Sequence, residues 1–146
     1  MFLPVWYRKC GFKPYLVGAK EIIVEDSFIR SAHQVQNLIR FCELAVQIGD
    51  TKKIELTTGS DDESQRNENS SNFKMLQSSL KDNGIEFGFS FSDTIHDREI
   101  KLSNGWVIKI GRGLDIYQKP DTWFSIGLTD FDLRPCLETK VDIFMV

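Results

Sequence analysis

The sequence predicts one α/β domain, a mixed sheet flanked by helices, with a β-α-β-α-β start followed by antiparallel hairpin strands. The first half alternates short β-branched runs with segments of helical apolar spacing, which is typical of parallel strands joined by helices. The second half has strand-like runs on both sides of Asn104-Gly105, a strong hairpin signal. The length of 146 residues fits a single domain, 1–146, with residues 1–19 as an N-terminal extension.

The first strand and helix are predicted from residues 20 to 49. Residues 20–26, KEIIVED, form the apolar run of a buried strand. Ser31 is suited to cap the following helix, because its hydroxyl can accept a backbone N–H of the first turn, and Gly49 is suited to end it. The apolar positions at helical spacing are Val35, Leu38, Ile39, Cys42, Ala45 and Val46.

The same alternation continues through residue 91. Residues 53–59 predict a second strand, and residues 85–91 alternate large apolar with small or polar side chains, as a half-exposed strand does. Residues 60–72 contain nothing apolar to bury, so we expect a mobile surface loop there. The second helix rests on a stripe of Phe73, Leu76 and Leu80, stopped at Asn83-Gly84.

A β-hairpin is predicted from residues 95–102 and 106–111. We expect Asn104-Gly105 to form a two-residue type I′ turn. Pairing outward from that turn places Leu102 opposite Val107, so directly opposed side chains share one face. Two further strands are predicted at residues 122–128 and 140–146.

This hairpin register brings an imidazole and two cations to one face. His96, Arg98 and Lys109 then lie together, with Gly111 and Gly113 leaving space beside them. Arginine offers a planar fork to phosphate oxygens, and histidine donates a hydrogen bond or acts as a nucleophile. The face therefore predicts an anion site, to which the flexible backbone around Arg112 contributes. The alternative is a set of half-exposed polar residues, with Asp97 and Glu99 as ion-pair partners.

Two more arginines are candidates for the same site. Arg30 follows the first strand, and ligands of α/β sheets bind at the carboxyl ends of strands. Arg134 either points into the anion site or pairs with Asp130 or Asp132. The complete set of predicted phosphate-binding residues is His96, Arg98, Lys109, Arg112, Arg30 and Arg134.

Composition excludes several classes of protein. No apolar run approaches the roughly 20 residues of a membrane span, and the first residues do not have the pattern of a signal peptide. Three cysteines without a CxxC motif predict neither a disulfide framework nor a zinc site, and no metal or other cofactor is expected. Because no disulfide framework is predicted, we expect a reducing, cytoplasmic setting. The net charge of −3 argues against bulk binding of nucleic acid.

Residues 96–115, HDREIKLSNGWVIKIGRGLD, and 124–144, FSIGLTDFDLRPCLETKVDIF, resemble the phospholipase D-like C-terminal domain of MIT-domain-containing proteins. Residues 24–43 fit the first strand and helix of the same family, so the resemblance covers nearly everything from about residue 20. It implies a phospholipase D-type fold, a homodimer, and binding to acidic, phosphoinositide-containing membranes. In that family the parent protein acts in cytokinetic abscission and is tethered to the ESCRT machinery by its separate MIT helices.

The sequence departs from this family pattern in two ways. It has no room for the MIT helices, so an ESCRT partner is not implied. Active phospholipase D enzymes carry His-x-Lys-x4-Asp, whereas this chain has His96, Arg98 and Ser103 at those positions. Such enzymes also need two facing motifs, which only a symmetric dimer would supply here.

These departures favour a non-catalytic module, and the resemblance implies that its phosphate-bearing ligands are acidic, phosphoinositide-containing membrane lipids, bound peripherally by a homodimer. His96 is a catalytic nucleophile only if the site is active. The alternatives are a phosphodiester hydrolase and a domain that binds the nucleic-acid backbone, both using the same histidine, arginine and lysine side chains.

Overall fold

The computed structural model describes residues 13–114, 122, 124–129, 133 and 140–146. Within these residues three helices and six strands form. The helices are α1 (Lys13–Leu16), α2 (Ala32–Ile48) and α3 (Glu63–Asp82), and the strands are β1 (Glu21–Asp26), β2 (Lys53–Thr58), β3 (Glu86–Phe91), β4 (Arg98–Leu102), β5 (Trp106–Ile110) and β6 (Val141–Met145).

The described strands form one mixed sheet in the order β3-β2-β1-β4-β5-β6. Strands β1, β2 and β3 are parallel, because the helices α2 and α3 carry the chain back between them. Strands β4, β5 and β6 are antiparallel to their neighbours. The predicted fold class is therefore confirmed, including the parallel start and the antiparallel second half.

Helix α2 has the ends that the sequence predicts. The Ser31 hydroxyl accepts the Gln34 backbone N–H, and the Gln34 side chain accepts the Ser31 backbone N–H, which completes a capping box. Gly49 adopts φ +84° and donates its N–H to the Ala45 carbonyl. That left-handed conformation favours glycine at the end of the helix.

The core lies between these helices and the sheet. Phe73 of α3 is fully buried, and its ring centre lies 5.3 Å from Phe89, 6.1 Å from Phe91 and 6.5 Å from Phe87. The alternation of large side chains in β3 thus supplies one wall of the core. Burial alternates along β1 as well, with Ile22 and Val24 on the core face.

The prediction of a mobile loop at residues 60–72 is wrong beyond its first three residues. Helix α3 begins at Glu63 and continues without interruption to Asp82. Asp62 caps it by accepting the Gln65 backbone N–H at 2.7 Å. Asn69, which is buried, donates to the Arg30 carbonyl at 2.9 Å. A cap and a tertiary contact therefore extend the helix through a stretch that has no apolar stripe.

The two strands predicted near the C-terminus have different outcomes. Residues 140–146 contain β6, as predicted. The described residues between 122 and 128 form bends and turns instead of a strand. There, the Ser125 hydroxyl donates to the Thr122 carbonyl at 2.8 Å and the Leu128 N–H to the Ser125 carbonyl at 3.3 Å. Such local hydrogen bonds compete with strand pairing.

The predicted register of the β4–β5 hairpin is wrong by one residue. Lys109 pairs with Glu99, and Ile108 with Ile100. Gly105 has φ +101°, and none of the described non-glycine residues has a positive φ, so Asn104 cannot form a type I′ turn. The loop therefore has three residues, and Lys109 lies on the opposite face of the sheet from Arg98.

No helix in the part of the chain that is described is long and apolar enough to cross a bilayer.

We expect Phe73→Ala to lower the free energy of unfolding by about 3–5 kcal/mol, because it leaves a cavity among three phenylalanine rings. Urea denaturation monitored by circular dichroism measures the change. Met75→Ala is the matched control, since Met75 lies on the same helix with 65% of its side chain exposed. Equal losses for the two variants would contradict this assignment of the core.

Candidate functional site

A buried carboxylate organises the carboxyl edge of the sheet, where β1 ends and β4 begins. Asp26 is 2% exposed and lies directly opposite Arg98. It accepts hydrogen bonds from Arg98 Nε at 2.9 Å, from the Phe28 N–H at 3.0 Å and from the Leu114 N–H at 3.1 Å. The loop after β1, the start of β4 and the segment after β5 are thereby held together.

The Arg98 guanidinium is bound to acceptors within the protein. Its Nη2 lies 3.4 Å from Asp26 Oδ2, and its Nη1 donates to the Gly111 carbonyl at 3.4 Å. A Cβ at Gly113 would overlap the Asp26 carboxylate and lie 2.7 Å from Arg98 Nε, so a side chain there would break the bridge. Arg98, which stands where the phospholipase D motif has lysine, therefore holds the end of β1 and the turn after β5 in place.

A cleft of about 290 Å³ opens beside this bridge, where β4, β5 and β6 meet. His96, Arg98 and Lys109 all line it, but the changed register places Lys109 on the opposite face of the sheet from Arg98, so the predicted grouping on one face is wrong. Lys140 adds a cation that the sequence analysis missed. Only the pairing of β6 with β5, between residues far apart in the chain, places Lys140 here. The acidic side chains in the lining are Asp97, Glu99 and Asp142.

Glu99 is the centre of a charge network on the face of the sheet that carries Lys109. Its side chain is 7% exposed and lies 3.2 Å from Lys101 Nζ and 3.7 Å from Lys109 Nζ. The hydrogen bond with Glu99 and the nearby charge of Glu25 raise the pKa of Lys101. Carboxylate oxygens of Glu25, Asp97 and Glu99 lie within 4.8 Å of one another, but Lys101 ion-pairs with two of these groups. The ammonium already neutralises much of that cluster.

Arg30 lies at the same edge of the sheet, next to Phe28. Its Nε donates to the Ser27 carbonyl at 2.6 Å, and its Nη1 donates to Asp61 Oδ1 at 2.6 Å. That hydrogen bond lowers the pKa of the Asp61 carboxyl. Phe28 lies between two guanidinium groups, with Arg30 Cζ 5.2 Å and Arg98 Cζ 4.8 Å from its ring centre.

The remaining candidate residues are Arg112, Arg134 and Ser103. Arg112 is exposed in the turn after β5, and Arg134 lies outside the described residues. Ser103, at the motif position of the acid, lies at the opposite end of β4 from His96. Its hydroxyl accepts the N–H groups of Lys20 and Glu21 at 2.9 and 3.0 Å. Ser103 therefore has a structural role remote from the cleft.

Cys42 is not a candidate nucleophile. Its side chain is buried in α2, and burial raises the pKa of its thiol to about 12. A thiol in that environment holds its proton at neutral pH, and only the thiolate is reactive.

Comparison with known proteins matches this chain to the family described as phospholipase D-like domain at C-terminus of MIT, over residues 6–145. The chain is also 43% identical over 135 residues to MIT domain-containing protein 1 of Mus musculus. The aligned part covers 91% of this chain and 54% of the mouse protein. The chain therefore spans about half the length of the curated relative that it matches.

We expect Asp26→Asn to lower the free energy of unfolding by about 3–5 kcal/mol, because it removes the charge that compensates Arg98 in a buried pair. Thermal and urea unfolding measure the loss. The matched control is Asp93→Asn, which breaks the exposed pair with Arg66, an interaction of the kind that contributes little. Similar stability for Asp26→Asn and wild type would show that the edge does not depend on this bridge.

Proposed function

Since the chain belongs to the family of phospholipase D-like domains found at the C-terminus of MIT proteins, we propose that it is a non-catalytic module that binds phosphate-bearing ligands. The ligands that we favour are acidic, phosphoinositide-containing membrane lipids, bound peripherally. The observation that carries the proposal is the cleft of about 290 Å³ whose lining includes His96, Lys109 and Lys140.

Two of the cations in this cleft are exposed to a phosphorylated headgroup, and the lining also contains the acidic Asp97, Glu99 and Asp142. The Lys109 side chain is 52% exposed, and Lys140 is exposed at the start of β6. Both ammonium groups are thus accessible to a ligand, whereas Arg98 is turned toward Asp26 and Gly111. Because the whole chain carries a net charge of −3, attraction to an acidic membrane has to come from this local patch.

Three features support a binding role without turnover. The motif's lysine is replaced by Arg98, and the Arg98 guanidinium bonds to Asp26. Ser103 is remote from the cleft, at the far end of β4. The sequence carries one copy of the motif, so a partner acid for the leaving group would have to come from a second chain whose motif faces the first.

We also propose that the module is a homodimer. Strand β6 is an edge of the described sheet, and it ends in apolar side chains that are exposed: Phe144, Met145 and Val146 at 41%, 56% and 87%. An exposed apolar edge strand readily pairs with another chain. A second copy of the same edge would shelter these side chains.

We expect wild-type protein to co-sediment with phosphatidylcholine vesicles that contain a phosphoinositide, but not with pure phosphatidylcholine vesicles. Lys109→Ala/Lys140→Ala should weaken binding about tenfold or more, because each cation near an acidic surface contributes about 1 kcal/mol. Lys74→Ala/Lys81→Ala is the control, since it removes two exposed lysines from α3.

Equal binding by the two double variants would remove the cleft from the proposal. Absence of wild-type binding to both kinds of vesicle would contradict lipid recognition. Turnover of bis(p-nitrophenyl) phosphate that is lost in His96→Ala would replace the module with a hydrolase. Salt-dependent binding of single-stranded DNA in place of vesicles would favour the nucleic-acid alternative.

We expect light scattering coupled to size-exclusion chromatography to give the mass of two chains for wild type. Phe144→Glu should shift the mass toward one chain, because a carboxylate would be buried in the apolar contact. Phe124→Glu is the control, because Phe124 is 96% exposed in a different segment. A dimeric Phe144→Glu variant would exclude this part of β6 from the interface.

A further inference from the structure

Two arginines converge on one loop at the carboxyl edge of β1 and β2. Arg30 comes from the loop after β1, and Arg66 lies near the start of α3. Arg30 Nη1 donates to Asp61 Oδ1 at 2.6 Å, while Arg66 Nε donates to Ser60 Oγ at 3.3 Å. Ser60 and Asp61 are consecutive, so the two guanidinium groups face the same short stretch of chain.

Both guanidinium groups are held in place by aromatic rings. Arg30 Cζ lies 5.2 Å from the centre of the Phe28 ring, and Arg66 Cζ lies 5.4 Å from the centre of the Phe91 ring. Contact with a ring restrains the plane of the guanidinium and leaves its N–H edge able to donate. Gly59 fits closely against Arg30, since a Cβ there would lie 2.6 Å from Nη2. The edge thus offers two pre-ordered hydrogen-bond forks.

The guanidinium groups of Arg30 and Arg66 are each paired with an exposed carboxylate. The Asp61 side chain is 62% exposed, and the Asp93 side chain, which lies 3.4 Å from Arg66 Nη2, is 75% exposed. Asp26 differs, because it is 2% exposed and also accepts two backbone N–H groups. Exposed ion pairs are weak, and a phosphate group has more oxygens and more charge than a carboxylate. Asp61 and Asp93 are therefore easier for an incoming phosphate to displace than Asp26.

We propose that Arg30 and Arg66 form a second anion site for a phosphate group, in which Asp61 and Asp93 occupy the guanidinium groups until the ligand arrives. The two carboxylates are internal competitors that set the affinity. Gln65 donates to Asp61 Oδ2 at 3.1 Å, so it can retain Asp61 near the loop after displacement. The inference rests on the proposed function, because it extends phosphate recognition from the cleft to the neighbouring edge.

The test compares two double variants and one quadruple variant, with folding checked by circular dichroism. Asp61→Asn/Asp93→Asn removes both internal competitors, and we expect it to bind inorganic phosphate about three- to tenfold tighter than wild type in a calorimetric titration. Vesicles of phosphatidylcholine with a phosphoinositide should show a similar gain. Asp82→Asn/Glu86→Gln makes the same change in net charge near the other end of α3 and should show almost no gain. Adding Arg30→Gln/Arg66→Gln should cancel the gain.

The outcomes separate this inference from the function on which it rests. A gain with inorganic phosphate alone supports a site for a free phosphate, and a gain with vesicles alone supports a lipid headgroup. Equal gains for Asp61→Asn/Asp93→Asn and Asp82→Asn/Glu86→Gln would show that the gain comes from net charge alone. That result would overturn the proposed site. Wild-type binding that depends on Lys109 and Lys140, with no gain from Asp61→Asn/Asp93→Asn, would overturn this inference alone. Absence of binding in every variant would overturn both.

Discussion

The buried ion pair between Asp26 and Arg98 joins three segments that are distant in the chain. Asp26 ends β1, Arg98 begins β4, and the Leu114 N–H that also binds Asp26 follows β5. Replacing either charged partner would leave an uncompensated charge with little access to water, and the energetic cost of that is high. Gly113 is required by the same bridge, because the carboxylate fills the space of a Cβ. The position of the neighbouring cleft depends on this junction.

Burial decides which cations at this edge are available to a ligand. The Arg98 side chain is 16% exposed and bonds to protein acceptors, so it shapes the edge of the sheet. Lys109 is half exposed, and its nearest carboxylate, Glu99, is shared with Lys101. Arg30 pairs with Asp61, whose side chain is 62% exposed. Charged side chains at this edge therefore range from the largely buried Arg98 to the half-exposed Lys109.

The positions that carry the active-site motif in phospholipase D enzymes lie here along β4, whose two ends have separate environments. His96 precedes β4 at the cleft, whereas Ser103 follows it and caps the N–H groups of Lys20 and Glu21. The serine hydroxyl stabilises the start of β1, which is a task unrelated to phosphate chemistry. The fold of the family is thus present, while the two outer positions of the phospholipase D motif lie at opposite ends of one strand.

Local patterns in the sequence determined the three parallel strands, the capped helix α2 and the fold class, because periodicity and capping act within a few residues. They also identified the arginine and histidine residues that line the site. Only the tertiary structure decided the hairpin register and the helical state of residues 63–72. The Asn104 side chain donates to the carbonyls of Tyr15 and Val17 at 2.8 and 2.9 Å, and Asn69 anchors α3 to Arg30. Such contacts join residues separated by tens of positions, and no local pattern reports them.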